Sequence, residues 1–313
     1  MKLSVIICTH NPRATYLDRV LKALERQTFP NANWELLLID NASASLVEGR
    51  FDLGWHPNAR HIREDELGLT PARLRGISES RGELLVFVDD DNVLTPNYLD
   101  EAVRIGREWP SLGAWGGSIK GEFELEPQPW LQPLLGFLAI REFSKPIWSN
   151  NPEDWRAQPC GAGLVVRMAV AKCYAHHIAT DPRGLQLDRR GTDLASCGDS
   201  HLVQKSCDVG MGFGNFPELR LTHLIPESRV RPEYLIRLMQ NITASGIVLQ
   251  YLRSGALPPR PNTLKTWTRY LLTCLREGRP QARIYKAQQD AVHAGIDATL
   301  GLMAGECVRQ QNS

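Results

Sequence analysis

Two rhythms of apolar residues alternate along the first ninety positions. Residues 3–8, 34–39 and 83–88 are short runs dominated by Val, Ile and Leu. Between them, residues 15–27 place Leu17, Val20, Leu21 and Leu24 at helical spacing, and residues 70–80 follow a helical pattern as well. Continuous apolar strands separated by helices predict a mostly parallel sheet buried on both faces, which is the α/β class. Thr70-Pro71 and Thr95-Pro96 predict helix starts, each with a hydroxyl able to cap and a proline suited to the first helical position. Residues 109–159 change texture to Trp and Pro, which predicts an irregular flap or subdomain, and the glycines of 210–214 read as a mobile connection. From Pro232 the pattern is helical over 234–252, 264–276 and 281 to about 303, with Leu257-Pro258-Pro259 as a breaker.

Composition narrows the class only a little. A chain of 313 residues with 42% hydrophobic and 23% charged content is an ordinary globular one, which excludes disorder and collagen-like repetition. Seven cysteines with no CxxC pair suit a reduced, cytosolic setting. Met1-Lys2 leads straight into an apolar run too short for a signal peptide, and no window approaches 18 apolar residues, so no membrane-spanning helix is expected. Charge is more informative. The net charge is +1, yet residues 229–286 hold eleven Lys/Arg against Glu233 and Glu277, or 11 − 2 = +9. Such a segment suits an anionic surface, such as a membrane or a phosphorylated lipid, or else forms a solvated basic face. The apolar stretch 129–140 fits a bilayer contact, core packing or a dimer contact.

The candidate chemistry sits where the strands run out. Ligands of a parallel sheet bind beyond the carboxyl ends of its strands, which here means Thr9 to Asn11, Asp40-Asn41 and Asp89 to Asn92. Asp89, Asp90 and Asp91 bring three carboxylates to one strand end, where a cation would relieve their repulsion, and hard oxygen donors suit Mg²⁺ or Mn²⁺ holding a diphosphate. A solvated acidic turn that caps the next helix is the competing reading. Asp40 could accept from a nucleobase or ribose, and Arg73 could reach a phosphate.

In order and spacing, Ser4 to Asn11, Leu38 to Ser43, Gly68 to Arg73 and Phe87 to Asp91 resemble the family 2 glycosyltransferases, nucleotide-sugar-dependent enzymes of the GT-A fold. The resemblance implies a GT-A domain over residues 1–229, nucleotide-binding in 1–92 and acceptor-facing in 93–229, followed by a helical C-terminal extension over 230–313. It further implies that Asp40 and Arg73 position the nucleotide with Thr9 and Asn11, that Asp89 contacts ribose and diphosphate with Asp90 in the variable middle, and that Asp91 and His223 hold the divalent metal. The turn 159–167 would border the acceptor pocket. Asp199, in Cys197-Gly198-Asp199-Ser200-His201, matches the family's catalytic base, with Gly198 replacing the customary glutamate and His201 where a second acid is common. Read without the resemblance, Asp199 is a helix N-cap. The implied activity is inverting transfer from a nucleotide-diphosphate sugar, UDP being commonest in the family, to a glycan or lipid-linked hydroxyl in surface polysaccharide or glycolipid synthesis. The implied setting is cytoplasmic or peripheral on the inner membrane face, with no nucleic-acid partner. Gly198 motivates a rival, a non-catalytic nucleotide-sugar-binding protein. A nucleotidyltransferase is a third reading, against which stands the absence of a glycine-rich basic loop after the first strand.

Overall fold

The computed structural model describes residues 1–191 and 194–311. The chain divides into two compact units, one of Met1–Glu124, Ala139–Pro182 and Gly198–Ile225, the other of Leu125–Leu138, Arg183–Cys197 and Pro226–Ser313.

The first unit is built on a sheet of nine strands among the described residues. Strands β1 (Leu3–Thr9), β2 (Trp34–Asn41), β3 (Ala59–Glu64) and β4 (Leu84–Asp89) alternate with helices α1 (Ala14–Glu25) and α2 (Leu69–Glu79), and they pair in parallel in the order β3-β2-β1-β4. This is the half that the apolar runs predict: every residue of β2 is buried, and only Cys8 in β1 is partly open. The second half is mixed. After β5 (Asn92–Leu94) and α3 (Tyr98–Glu108) come the long β6 (Leu112–Phe123), β7 (Ile147–Ser149), β8 (Leu164–Arg167), α4 (Met168–Thr180), α5 (Gly198–Asp208) and β9 (Gly212–Ile225). β8 is antiparallel to both β4 and β6, and β9 is parallel to β6 but antiparallel to β5 and β7.

Four local expectations change. Residues 112–123 of the expected flap are strand, with Trp115 fully buried. The glycines of 210–214 are no mobile connection, because Gly212 and Gly214 open β9 where β7 crosses it; a Cβ there would lie 2.7 Å from Ser149 O and 2.8 Å from Ile147 O. The hydroxyl caps are also displaced. Helix α2 starts from Gly68, whose N–H donates to Asn41 Oδ1 at 2.8 Å, and Thr70 lies inside the helix. At α3 the Leu99 N–H is taken by Gln27 Oε1 (3.1 Å), while the Thr95 hydroxyl donates to Arg220 O (3.0 Å). At each start one N–H is satisfied by a side chain from a neighbouring element rather than by the local threonine.

Gly117 marks the register shift in the β6–β9 ladder, and a Cβ at this position would stand 2.1 Å from the Leu219 carbonyl oxygen. Backbone cannot yield there. Gly117→Ala is expected to destabilise the protein by at least about 3 kcal/mol, read as a lowered calorimetric Tm. Gly246→Ala, with nothing within 4 Å of the new methyl, should be neutral or stabilising by up to about 1 kcal/mol.

The second unit is helical. A 3₁₀ segment, Pro129–Leu138, buries Leu131, Leu134, Leu135 and Leu138 and packs on α6 (Pro232–Ser254). Core packing therefore accounts for the apolar 129–140 stretch. α7 (Thr263–Arg276) and α8 (Arg279–Gln311) follow, and α8 packs along both α6 and α7.

Candidate active site

β1 lies between β2 and β4, with Thr9 in register with Asp40 and Cys8 with Asp89. Three apolar strands thus end side by side, and the polar residue that closes each apolar run falls on one rim.

Asp40 is buried at that rim. Its carboxylate accepts from the Ser43 amide (3.2 Å), the Val47 amide (3.1 Å) and the Arg63 guanidinium (2.8 Å), as well as from the Ser43 hydroxyl. Burial is the strongest influence on it and raises its pKa, but the Ser43, Val47 and Arg63 hydrogen bonds together outweigh burial and hold the carboxyl below its ordinary value. Four donors fill a carboxylate's acceptor sites. A ligand N–H must therefore displace one of them, and Arg63, about a third exposed, is the one within reach of solvent. Asn11 takes a left-handed backbone (φ 50°), which its short amide tolerates, and ties the loops after β1 and β2 together. Its N–H donates to Ser43 Oγ at 2.8 Å and its Oδ1 accepts from the Ala44 amide at 2.9 Å.

The acidic turn is just as tightly bound. The Thr9 hydroxyl donates to Asp90, joining the ends of β1 and β4. Asn92 accepts weakly from the Asp89 amide through Oδ1 (3.3 Å) and donates through Nδ2 to Asp91 Oδ1 (2.9 Å). Because Asn92 is in register with His223 across β5 and β9, the other Asp91 oxygen comes to 3.4 Å from His223 Nε2, and both side chains are nearly buried. Among the described residues no three His, Cys, Asp or Glu side chains converge as a metal cage. Asp91 and His223 offer one carboxylate oxygen and one imidazole nitrogen, a set that fits a divalent cation completed by substrate phosphates and water.

Arg73 and Asp199 meet across the turn before β8. The Gly161 N–H donates to Asp199 Oδ2 at 2.7 Å, and a Cβ on Gly161 would lie 3.1 Å from Arg73 Nη2 and 3.4 Å from Asp199 Oδ2. Glycine is what lets this backbone pass between them. Asp199 lies in the first turn of α5, with its second oxygen on the Ser200 amide (2.7 Å), so its carboxylate reaches across to the turn as well as serving its own helix. Cys160 lies beside the same groups. Burial pushes its thiol up to about 11, Arg141 partly opposes this, and Asp199 and Asp89 add to it, so the sulfur stays a thiol at neutral pH. Cys160 is thus within electrostatic reach of both Asp199 and Asp89. His201 has a different environment: its ring packs on Tyr174 (5.4 Å) and His177 (5.0 Å), and burial, with Lys205 and His177, pushes its pKa down to about 3. It is a neutral core imidazole.

Three features escape the sequence reading. Arg63 belongs to β3, whose polar ARHIRE sequence carries no apolar run to mark it. The Gly161 amide is a backbone group, with only the glycine as a signal. Tyr16, in the first turn of α1, is hydrogen bonded to Glu124, which Arg13 also grips at 2.6 Å; burial and Glu124 raise the tyrosine's pKa, Arg13 opposes, and Asp91 adds to the rise. That last influence brings Tyr16 into the surroundings of Asp91.

Residues 4–152 match the profile of Glycosyl transferase family 2. Among curated proteins, the chain is 29% identical over 104 residues to the uncharacterized glycosyltransferase YwdF of Bacillus subtilis, covering 33% of this chain and 38% of YwdF, so it spans well under two thirds of that relative. Among solved structures it resembles the mannosyltransferase PcManGT of Pyrobaculum calidifontis in complex with GDP-Man and Mn²⁺, with a TM-score of 0.58 at 18% identity, covering 96% of this chain and 87% of that one. It also resembles S. aureus TarS 1–349 in complex with UDP-GlcNAc, with a TM-score of 0.54 at 16% identity over 94% and 92% of the two chains. The fold is GT-A, and the likeness to glycosyl transferase family 2 extends over residues 4–152, just under half of the chain.

Proposed function

We propose that this chain is a metal-dependent, inverting glycosyltransferase that moves a sugar from a nucleotide-diphosphate sugar to a hydroxyl of a glycan or lipid-linked acceptor. The observation that carries the reading is the rim itself, where Asp40, the Asp89–Asp91 turn and the Arg73–Gly161–Asp199 cluster gather beyond neighbouring strand ends. In this reading residues 1–92 serve the nucleotide, 93–229 the acceptor, and 230–313 form a helical extension. The enzyme works at the cytoplasmic side in polysaccharide or glycolipid assembly.

Asp40 takes a base or ribose donor by exchange with Arg63, beside Thr9 and Asn11. Asp89 and Asp90 line the ribose and diphosphate path, and Arg73 offsets phosphate charge. Asp91 and His223 would hold Mn²⁺ or Mg²⁺, which when bound neutralises charge developing on the departing nucleoside diphosphate. Asp199, oriented by the Gly161 and Ser200 amides, accepts the proton of the acceptor hydroxyl as it attacks the anomeric carbon. A single displacement of this kind inverts that centre.

The structural relatives hold UDP-GlcNAc in one case and GDP-Man in another, and UDP is the donor nucleotide we propose. A thermal-shift screen against UDP, GDP, dTDP, CDP and NAD, with and without Mn²⁺, tests it. Ligand at 100 times Kd adds about 2.7 kcal/mol, so a rise of several degrees is expected with UDP and Mn²⁺ together. No shift with any nucleoside diphosphate at millimolar concentration overturns the reading. Gly198, buried at the start of α5, favours a second one, donor binding without turnover. Intact binding with neither transfer nor donor hydrolysis would select it.

A further inference from the structure

Helix α7 is amphipathic and unlike the other α-helices in burying none of its side chains among the described residues. Its half-buried line is Thr266, Tyr270, Thr273 and Cys274, the side laid against α8. The apolar stripe points elsewhere. Leu264, Trp267, Leu271 and Leu275 recur at i, i+3, i+7 and i+11, which is one helical face, and they are 74%, 60%, 45% and 84% exposed. Leu272, beside them, is 49% exposed. A solvated surface helix would carry these residues inward.

Charge indicates what covers the stripe. α7 has Lys265, Arg269 and Arg276 and no acidic residue, within a segment whose balance is +9 over residues 229–286. Part of that segment's charge is answered within the unit: Arg260 pairs with Asp297, Arg283 with Glu233 and Lys286 with Asp290. The α7 cations lie to one side of the apolar stripe, with Arg269 held over the Tyr285 ring of α8 at 5.7 Å. A Leu/Trp stripe flanked by cations, on a helix whose other side is packed, matches an interfacial helix lying in the headgroup plane of an anionic bilayer. At 14 residues α7 is too short to cross a bilayer, so the contact it makes is peripheral.

We infer that the exposed stripe of α7 is a docking surface for anionic phospholipid membranes, with Trp267 at the headgroup level and Lys265, Arg269 and Arg276 on lipid phosphates. The inference does not depend on the transferase reading and can fail separately from it. The experiment is co-sedimentation of the full chain with phosphatidylcholine vesicles, with and without anionic phosphatidylglycerol, at low and high NaCl. Binding is expected only with the anionic lipid, and to weaken at high salt. Neutralising Lys265, Arg269 and Arg276 to Gln should lower the partition coefficient by roughly 10²-fold, about fivefold per cation. Leu271→Ser with Leu275→Ser should abolish binding with the Tm unchanged, and brominated lipid should quench wild-type fluorescence more than that of Trp267→Phe. Absence of binding at low salt overturns the inference. So does binding untouched by the leucine pair, or a concentration-dependent dimer that Leu271→Glu dissolves, since a second copy would then own this face.

Discussion

Asp199→Asn is expected to lower kcat for transfer by roughly 10²- to 10⁴-fold, the range for loss of a positioned general base, while leaving donor binding within a few-fold of wild type. The geometry makes this substitution informative. Both Asp199 oxygens accept backbone N–H groups, from Gly161 and from Ser200, each at 2.7 Å. An asparagine keeps one acceptor and turns an NH₂ group toward the other amide, so a local cost of about 1 kcal/mol accompanies the loss of basicity. Single-turnover transfer kinetics together with nucleotide titration separate the two effects. A variant within about threefold of wild-type kcat, far short of the loss expected when a general base is removed, would remove Asp199 from the proton transfer and return it to a structural tie between α5 and the Gly161 turn.

Asp91→Asn should abolish the manganese-dependent part of nucleotide stabilisation altogether. The two oxygens of Asp91 have distinct tasks: one accepts from Asn92 Nδ2 at 2.9 Å, and the other faces His223 Nε2 at 3.4 Å. The substitution removes an anionic oxygen from a two-donor set, and with so few protein ligands the loss cannot be shared. The thermal shift with nucleoside diphosphate and Mn²⁺ should fall to the value seen with the nucleotide alone. Transfer should drop by at least about 10²-fold if charge on the leaving group is left unscreened. Retention of the full manganese-dependent shift would place the cation elsewhere.

The parts of this molecule that were legible in the sequence are those where one local pattern had one physical meaning. β1, β2 and β4 are apolar because both of their faces are covered, and a polar residue after such a run can only stand at an edge. The strand-end positions of Thr9, Asp40 and Asp89 follow from that alone. The three C-terminal helices were legible for the same reason, since their periodicity and breakers agree. β6 and β9 were not. Their glycines and prolines read as loop, yet Gly117, Gly212 and Gly214 are there because another strand passes too close for a side chain. Pairings between distant residues were equally hidden: nothing near Asp40 announces Arg63, and nothing near Tyr16 announces Glu124. The expected caps at Thr70 and Thr95 failed because Asn41 and Gln27, far away in sequence, occupy the helix starts instead.

The interleaving of the two units also bears on how the chain matures during synthesis. The 3₁₀ segment Pro129–Leu138 leaves the ribosome between two stretches of the sheet unit, but its packing partner α6 begins only at Pro232. At about 5–20 residues per second, Leu131, Leu134, Leu135 and Leu138 remain without their partner for many seconds. The sheet is also incomplete until β9 emerges, because β5, β6 and β7 all pair with it. Nascent chains of intermediate length therefore expose unpaired strand edges and a leucine cluster together, which makes them natural clients for chaperones and gives slower translation no folded resting point before residue 225.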